Sequence, residues 1–175
     1  MKPSRLLIAL LAMLATICPA WAQVPGWSYS PLPGEGDRAA LGCDRDATAQ
    51  NYACLAVRCE DDFSVGVHIH TSRLNDAGTW EMTADREVVR IGALPDAGPY
   101  GARFPAEDAA WLLDRLRHGT FIYLSHAEDV GQKVRFISLD GSYAAIHAAL
   151  QWCAPRSSGE QPVPSGSGTA DQMAP

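Results

Sequence analysis

From residue 38 onward the chain alternates, and later it turns helical. Tyr52–Cys59 (YACLAVRC) sets Leu55, Val57 and Cys59 on one side and Cys54, Ala56 and Arg58 on the other, the period of a half-buried strand. Ser64–Thr71 (SVGVHIHT) repeats the pattern, with Val65, Val67 and Ile69 opposite Gly66, His68 and His70. Thr79–Ala84 groups Trp80, Met82 and Ala84. Glu60–Phe63 and Asn75–Gly78 read as the turns between these runs, so three consecutive strands form an antiparallel meander. A short strand at Arg38–Cys43 precedes it, and an edge strand at Glu87–Ile91 follows. Trp27 and Tyr29, among Pro25, Pro31 and Pro33, read as an extended arm that wraps the domain.

After the loop Leu94–Gly101 the period changes. Ala109, Leu112, Leu113 and Leu116 fall at i, i+3, i+4 and i+7 and predict a helix over Pro105–His118. Glu107 and Asp108 suit its positive end; Arg115, Arg117 and His118 suit its negative end, and Gly119 reads as a left-handed stop. Strands follow at Thr120–Ser125 and Lys133–Leu139. Ser142 is placed to cap a second helix running to about Trp152, with Ile146, Ala149, Leu150 and Cys153 as its stripe. Grouped strands with short turns predict an α+β fold: an antiparallel sheet of about five to six strands with two helices packed on it.

The two ends fall outside this pattern. Met1–Ala22 begins with Lys2 and Arg5, continues with an apolar run from Leu6 to Ile17, and ends in Pro-Ala-Trp-Ala. This is the layout of a cleaved secretory signal, too short in its apolar run to span a bilayer. Ser157–Pro175 is Ser, Gly, Pro, Gln and Ala without periodicity, the composition of a disordered tail. The expected organisation is a signal peptide at 1–22, one α+β domain at 23–156, and a tail at 157–175. The expected location is the periplasm or the exterior, with no membrane span after cleavage.

Export gives the cysteines their meaning. Cys18 leaves with the signal, and Cys43, Cys54, Cys59 and Cys153 remain. In an oxidising compartment four cysteines predict two disulfides. Their C-x10-C-x4-C start holds no C-x2-C pair of the kind structural zinc sites and thioredoxin-like centres use. Cys43 and Cys54 flank a short polar loop. Cys59 shares the side of Leu55 and Val57, and Cys153 lies on the buried stripe of the last helix. The predicted pairs are Cys43–Cys54 and Cys59–Cys153.

Phe136–Leu150, followed by Cys153, resembles small alphaproteobacterial periplasmic proteins of the invasion-associated locus B type: an amphipathic strand, a glycine, then an Ala-rich helix ending near a cysteine. The helix-Gly-strand unit Leu112–Leu124 is similar as well. The resemblance covers about the C-terminal third. It implies an envelope protein with a non-enzymatic role, and it assigns no functional residue.

Charge narrows the function classes. Fourteen Lys and Arg face twenty Asp and Glu, a net charge of −6 that loss of Lys2 and Arg5 makes more acidic. Without a basic run the chain is a poor ligand for nucleic acid or anionic lipid. His68 and His70 stand on the same side of one strand, close enough to share an ion, and imidazole suits zinc or copper. Glu60, Asp61 and Asp62 lie at the adjoining turn, with His126 and His147 as further candidates. The plainer reading makes the pair the solvated face of a half-buried strand. Ser64 and Ser142 lack the Gly-x-Ser-x-Gly elbow of a hydrolase nucleophile. Asp61-Asp62 and Glu107-Asp108 read as a hairpin tip and a helix-dipole complement. Trp27, Tyr29, Trp80, Trp111 and Trp152 are core aromatics or a binding groove. No residue stands out as catalytic, and no cofactor is expected unless the histidine pair takes a metal. The chain reads as an exported, disulfide-stabilised domain that binds an envelope protein or a small ligand; metal binding through His68 and His70 is the alternative, and an enzyme of unrecognised type the second.

Overall fold

The computed structural model describes residues 25–31, 38–129, 131 and 133–153. The predicted signal and tail lie outside the described residues. Among the described residues nine strands and two helices follow in the order β1 (Gly26–Pro31), β2 (Arg38–Cys43), β3 (Ala53–Cys59), β4 (Val65–Thr71), β5 (Gly78–Ala84), β6 (Glu87–Ala93), β7 (Ala102–Arg103), α1 (Ala106–His118), β8 (Phe121–His126), β9 (Arg135–Ser138) and α2 (Ser142–Leu150), with a final 3-10 turn at Gln151–Cys153. The class is α+β, as the pattern predicts.

The strands part into two antiparallel sheets, β1-β2-β3-β4-β7 and β6-β5-β8-β9, where the sequence suggests one. The division is made between β4 and β5. There Asp76 folds back onto Thr71, accepting from its amide at 3.1 Å and from its hydroxyl. The Arg73 amide donates to Thr71 Oγ1 at 3.0 Å. These bonds close the loop on itself, so the chain leaves the first sheet instead of making a hairpin. β5 then pairs with β6 and β8. The vacated edge of β4 is taken by β7, whose residues Ala102 and Arg103 face Ile69 and His68. The N-terminal arm is also a strand: Trp27 faces Gly42 across β1 and β2.

Leu55, Val57, Val67 and Ile69 of the first sheet and Trp80, Met82, Ile122, Leu124 and Ile137 of the second share one core with both helices. Leu112 and Leu116 of α1 and Ile146 and Ala149 of α2 are buried in it. At about 25 cal/mol per Å² of apolar surface, each such leucine or isoleucine contributes roughly 2–3 kcal/mol. Gly42 lets this core close, because a Cβ there would overlap the Trp27 ring. Trp27 Nε1 donates to Ser138 O at 2.8 Å, and the Arg45 amide donates to Phe136 O at 2.9 Å. Those two bonds occupy the outer edge of β9 and tie the sheets together.

Two local expectations need correction. Gly119 has φ −81° and ψ −179°, extended backbone and not a left-handed stop. Glycine is required there by space: a Cβ would stand 2.7 Å from Arg115 O. Ser142 begins α2 but does not cap it; Gly141 is the N-cap. The buried Ser142 hydroxyl instead lies 2.6 Å from Leu116 O and 2.7 Å from Leu139 O, joining the end of α1 to the start of α2.

The disulfides are Cys43–Cys54, with Cα atoms 4.0 Å apart, and Cys59–Cys153, with Cα atoms 5.3 Å apart. Cys43 and Cys54 are directly opposed across β2 and β3. Cys59 ends β3 on its inner side, where the turn after α2 reaches it.

Candidate functional site

The outer face of the first sheet carries the histidines. His68 is fully buried, which departs from the reading of both histidines as a solvated face. Its Nε2 lies 2.7 Å from Glu60 Oε1, and its Nδ1 lies 3.4 Å from Asp96 Oδ2. Glu60 follows β3 in the tight turn to β4, where its amide donates to Ser64 O at 2.9 Å. Its carboxylate folds back over Gly66; a Cβ there would fall 2.7 Å from both Glu60 Cδ and His68 Nε2. Arg58 Nη1 approaches Glu60 Oε2 at 3.0 Å, and Arg103 Nε stands 4.0 Å from Oε1. Burial pushes the Glu60 carboxyl up. The hydrogen bond and charge of His68, helped by Arg58 and Arg103, outweigh it and hold the group below the usual carboxylate range.

Asp96 arrives on the loop before β7, and Tyr100 of that loop is buried against Ala39 and Ala56. The cluster therefore fastens the loop to the sheet. Each nitrogen of His68 faces a different carboxylate on an opposite side of the ring, so one ion cannot use both. His70 turns elsewhere, with Nε2 3.2 Å from the Tyr52 hydroxyl. Burial lowers the His70 pKa against the pull of Asp76. Burial raises that of Tyr52, and Asp76 adds to it. At neutral pH His70 is neutral and Tyr52 protonated.

The remaining candidates are scattered. Asp61 and Asp62 are exposed. His126 meets Trp80 edge-on at 4.9 Å in the second sheet, and His147 stacks on Tyr143 of α2 at 6.3 Å. Among the described residues no group of three His, Cys, Asp or Glu is placed to hold a metal ion. Trp27, Tyr29 and Trp111 are partly buried against the core, and Trp80 is within it. The Trp152 side chain lies outside the described residues.

Two further features lie apart from these candidates. The outer face of the second sheet carries Phe121, Tyr123 and Phe136 in mutual contact, with ring centroids 5.2, 5.2 and 6.1 Å apart. Tyr123 is 40% exposed and neighbouring Val88 60%. Thr83 of β5 faces both, Tyr123 on one side and Val88 on the other. The Arg45 guanidinium lies 5.0 Å from the Phe136 centroid. The signal was present in the run Phe121-Ile-Tyr-Leu, apolar on both faces when a half-buried strand needs only one. The second feature is a polar cleft of about 210 Å³ where the sheets meet, lined by Asn51, Ser72, Arg73, Trp80, Lys133 and Arg135 among others. Its residues come from separate turns, and no spacing along the chain announces it.

Comparison of the chain with protein-family models, with curated proteins and with solved structures finds no match.

Proposed function

We propose that this chain is an exported domain without catalytic machinery that acts by binding another component of the cell envelope. The observation that carries the reading is the aromatic face of the second sheet. Phe121, Tyr123 and Phe136 lie on the side of β8 and β9 away from the core, where folding does not require them. Contiguous aromatics on a solvent face are characteristic of interaction surfaces. Three other features support the reading. The charged groups around Glu60 and His68 are engaged in internal pairing. The two disulfides suit an oxidising compartment, and the envelope role agrees with the resemblance carried by Phe136–Cys153.

The test places a photo-crosslinking side chain at Tyr123 in the exported protein. A defined envelope component should be captured, and Phe121→Ser/Phe136→Ser should abolish the capture. The same products from a crosslinker placed on α2 at Ala144 would refute the assignment. Fractionation should find the protein outside the inner membrane, with its first residue at Gln23.

A further inference from the structure

We propose that the cleft at the junction of the sheets binds a small oxyanion, the carboxylate or phosphate of a compact ligand, through Lys133 and Arg135. The chain is acidic overall, with a net charge of −6. Yet the lining of this cleft holds three cations, Arg73, Lys133 and Arg135, and one carboxylate, Asp129. Arg73 is committed, pairing with Asp129 and standing 3.6 Å from Glu128. It forms a fixed wall.

The other two cations are differently placed. Arg135 Nη2 donates to the neutral amide oxygen of Asn51. Its nearest carboxylate oxygen in an ion pair is Asp44 Oδ2, at 3.9 Å. That buried carboxylate already accepts the amides of Ala53 at 2.7 Å and Asp46 at 3.0 Å. Among the described residues the Arg135 guanidinium thus has no close carboxylate hydrogen bond of its own. Lys133 pairs with Asp46, but both side chains are at least half exposed. Such a pair contributes little in water and yields to a competing anion. Lys133 and Arg135 are two positions apart at the entry to β9, so their charges converge on one mouth. Trp80 supplies an apolar wall for a short carbon skeleton, while the Ser72 hydroxyl beside it is held by the Tyr52 backbone. At about 210 Å³ the cleft is smaller than most sites for drug-sized ligands, which sets the ligand as compact. The backbone beside it is anchored by the Cys43–Cys54 bridge, one residue before Asp44 and one after Ala53.

The oxidised full chain is titrated by calorimetry with citrate, with inorganic phosphate and with glycerol as an uncharged control. Saturable binding of citrate or phosphate is expected, with a Kd on the order of 1 mM or tighter, weakening as sodium chloride is raised. Preference for one anion identifies the headgroup chemistry; binding of both supports a general oxyanion site. Lys133→Gln and Arg135→Gln should each weaken binding roughly tenfold, the loss of one charge-assisted hydrogen bond. Arg115→Gln, which removes an exposed pair with Glu87, should leave it unchanged. Lys133 is exposed, so its variant keeps the test valid if Arg135→Gln folds poorly. Failure of both anions to bind, or equal binding by wild type and Lys133→Gln, overturns the proposal.

Discussion

Gly66→Ala is the sharpest probe of the buried charge cluster. A Gly to Ala change within a strand ordinarily stabilises by about 0.4–1 kcal/mol, because it narrows the unfolded ensemble. The backbone at Gly66 lies outside the left-handed region, so it can accept a side chain without strain. Space is what forbids one, since the new Cβ would fall 2.7 Å from Glu60 Cδ and from His68 Nε2. The carboxylate must leave, and His68, fully buried, loses the partner on Nε2. Breaking a buried pair by removing one member costs about 3–5 kcal/mol. Set against the entropic gain, Gly66→Ala should destabilise by about 2–4 kcal/mol, read from urea unfolding at pH 7. The pH dependence supplies a second reading. The Glu60 pKa is lowered in the fold, so its stabilisation is present above the unfolded carboxyl value and is lost as pH falls through the folded one. The stability gap between wild type and Glu60→Gln should therefore be full above about pH 5 and close in stronger acid. A Gly66→Ala protein as stable as wild type at neutral pH, or a Glu60→Gln gap that persists unchanged at pH 2, would refute the reasoning.

Three other perturbations are equally direct. Phe63 holds φ 64° in the turn between β3 and β4 and is 66% exposed; Phe63→Gly should raise stability by about 1 kcal/mol in the same urea assay. Removing the Cys59–Cys153 bridge as a double serine variant should cost about 4–5 kcal/mol, and removing Cys43–Cys54 about 3, since the closed loops span 94 and 11 positions; the reverse order of melting temperatures would contradict the chain-entropy account. Ser142→Ala leaves the Leu116 and Leu139 carbonyls without their buried hydroxyl and should cost about 1–3 kcal/mol, with faster amide exchange at the start of α2.

Much of the fold is legible in the sequence because burial imposes its period on it. Leu55, Val57, Val67 and Ile69 alternate because one face of their strands meets the core, and Leu112 and Leu116 recur because one face of α1 does. The same alternation sends Cys59 inward toward Cys153. The division into two sheets is not legible, since it depends on Asp76 and Thr71 bonding each other inside a segment that resembles any turn. β1 reads only as an extended arm and not as a paired strand, because Pro31 and Pro33 mask a strand whose anchor, Trp27, needs the hollow at Gly42. At the candidate site, the shared face of His68 and His70 follows from spacing. The burial of His68 does not, because Asp96 and Tyr100 reach it on a loop thirty residues downstream. The cationic cleft is still less visible: Arg73 and Arg135 are brought together only by the packing of one sheet against the other.

The Cys59–Cys153 bridge also decides where the molecule feels mechanical load. A pull applied to the chain beyond Cys153 does not have to pass along α2. The covalent link delivers it to the end of β3, a strand flanked on both sides by hydrogen-bonded neighbours. Under oxidising conditions such a force would have to work against two strand ladders at once, and α2 would lie slack outside the loaded path. Reduce the bridge, and the same force reaches α2 first and can peel it away turn by turn.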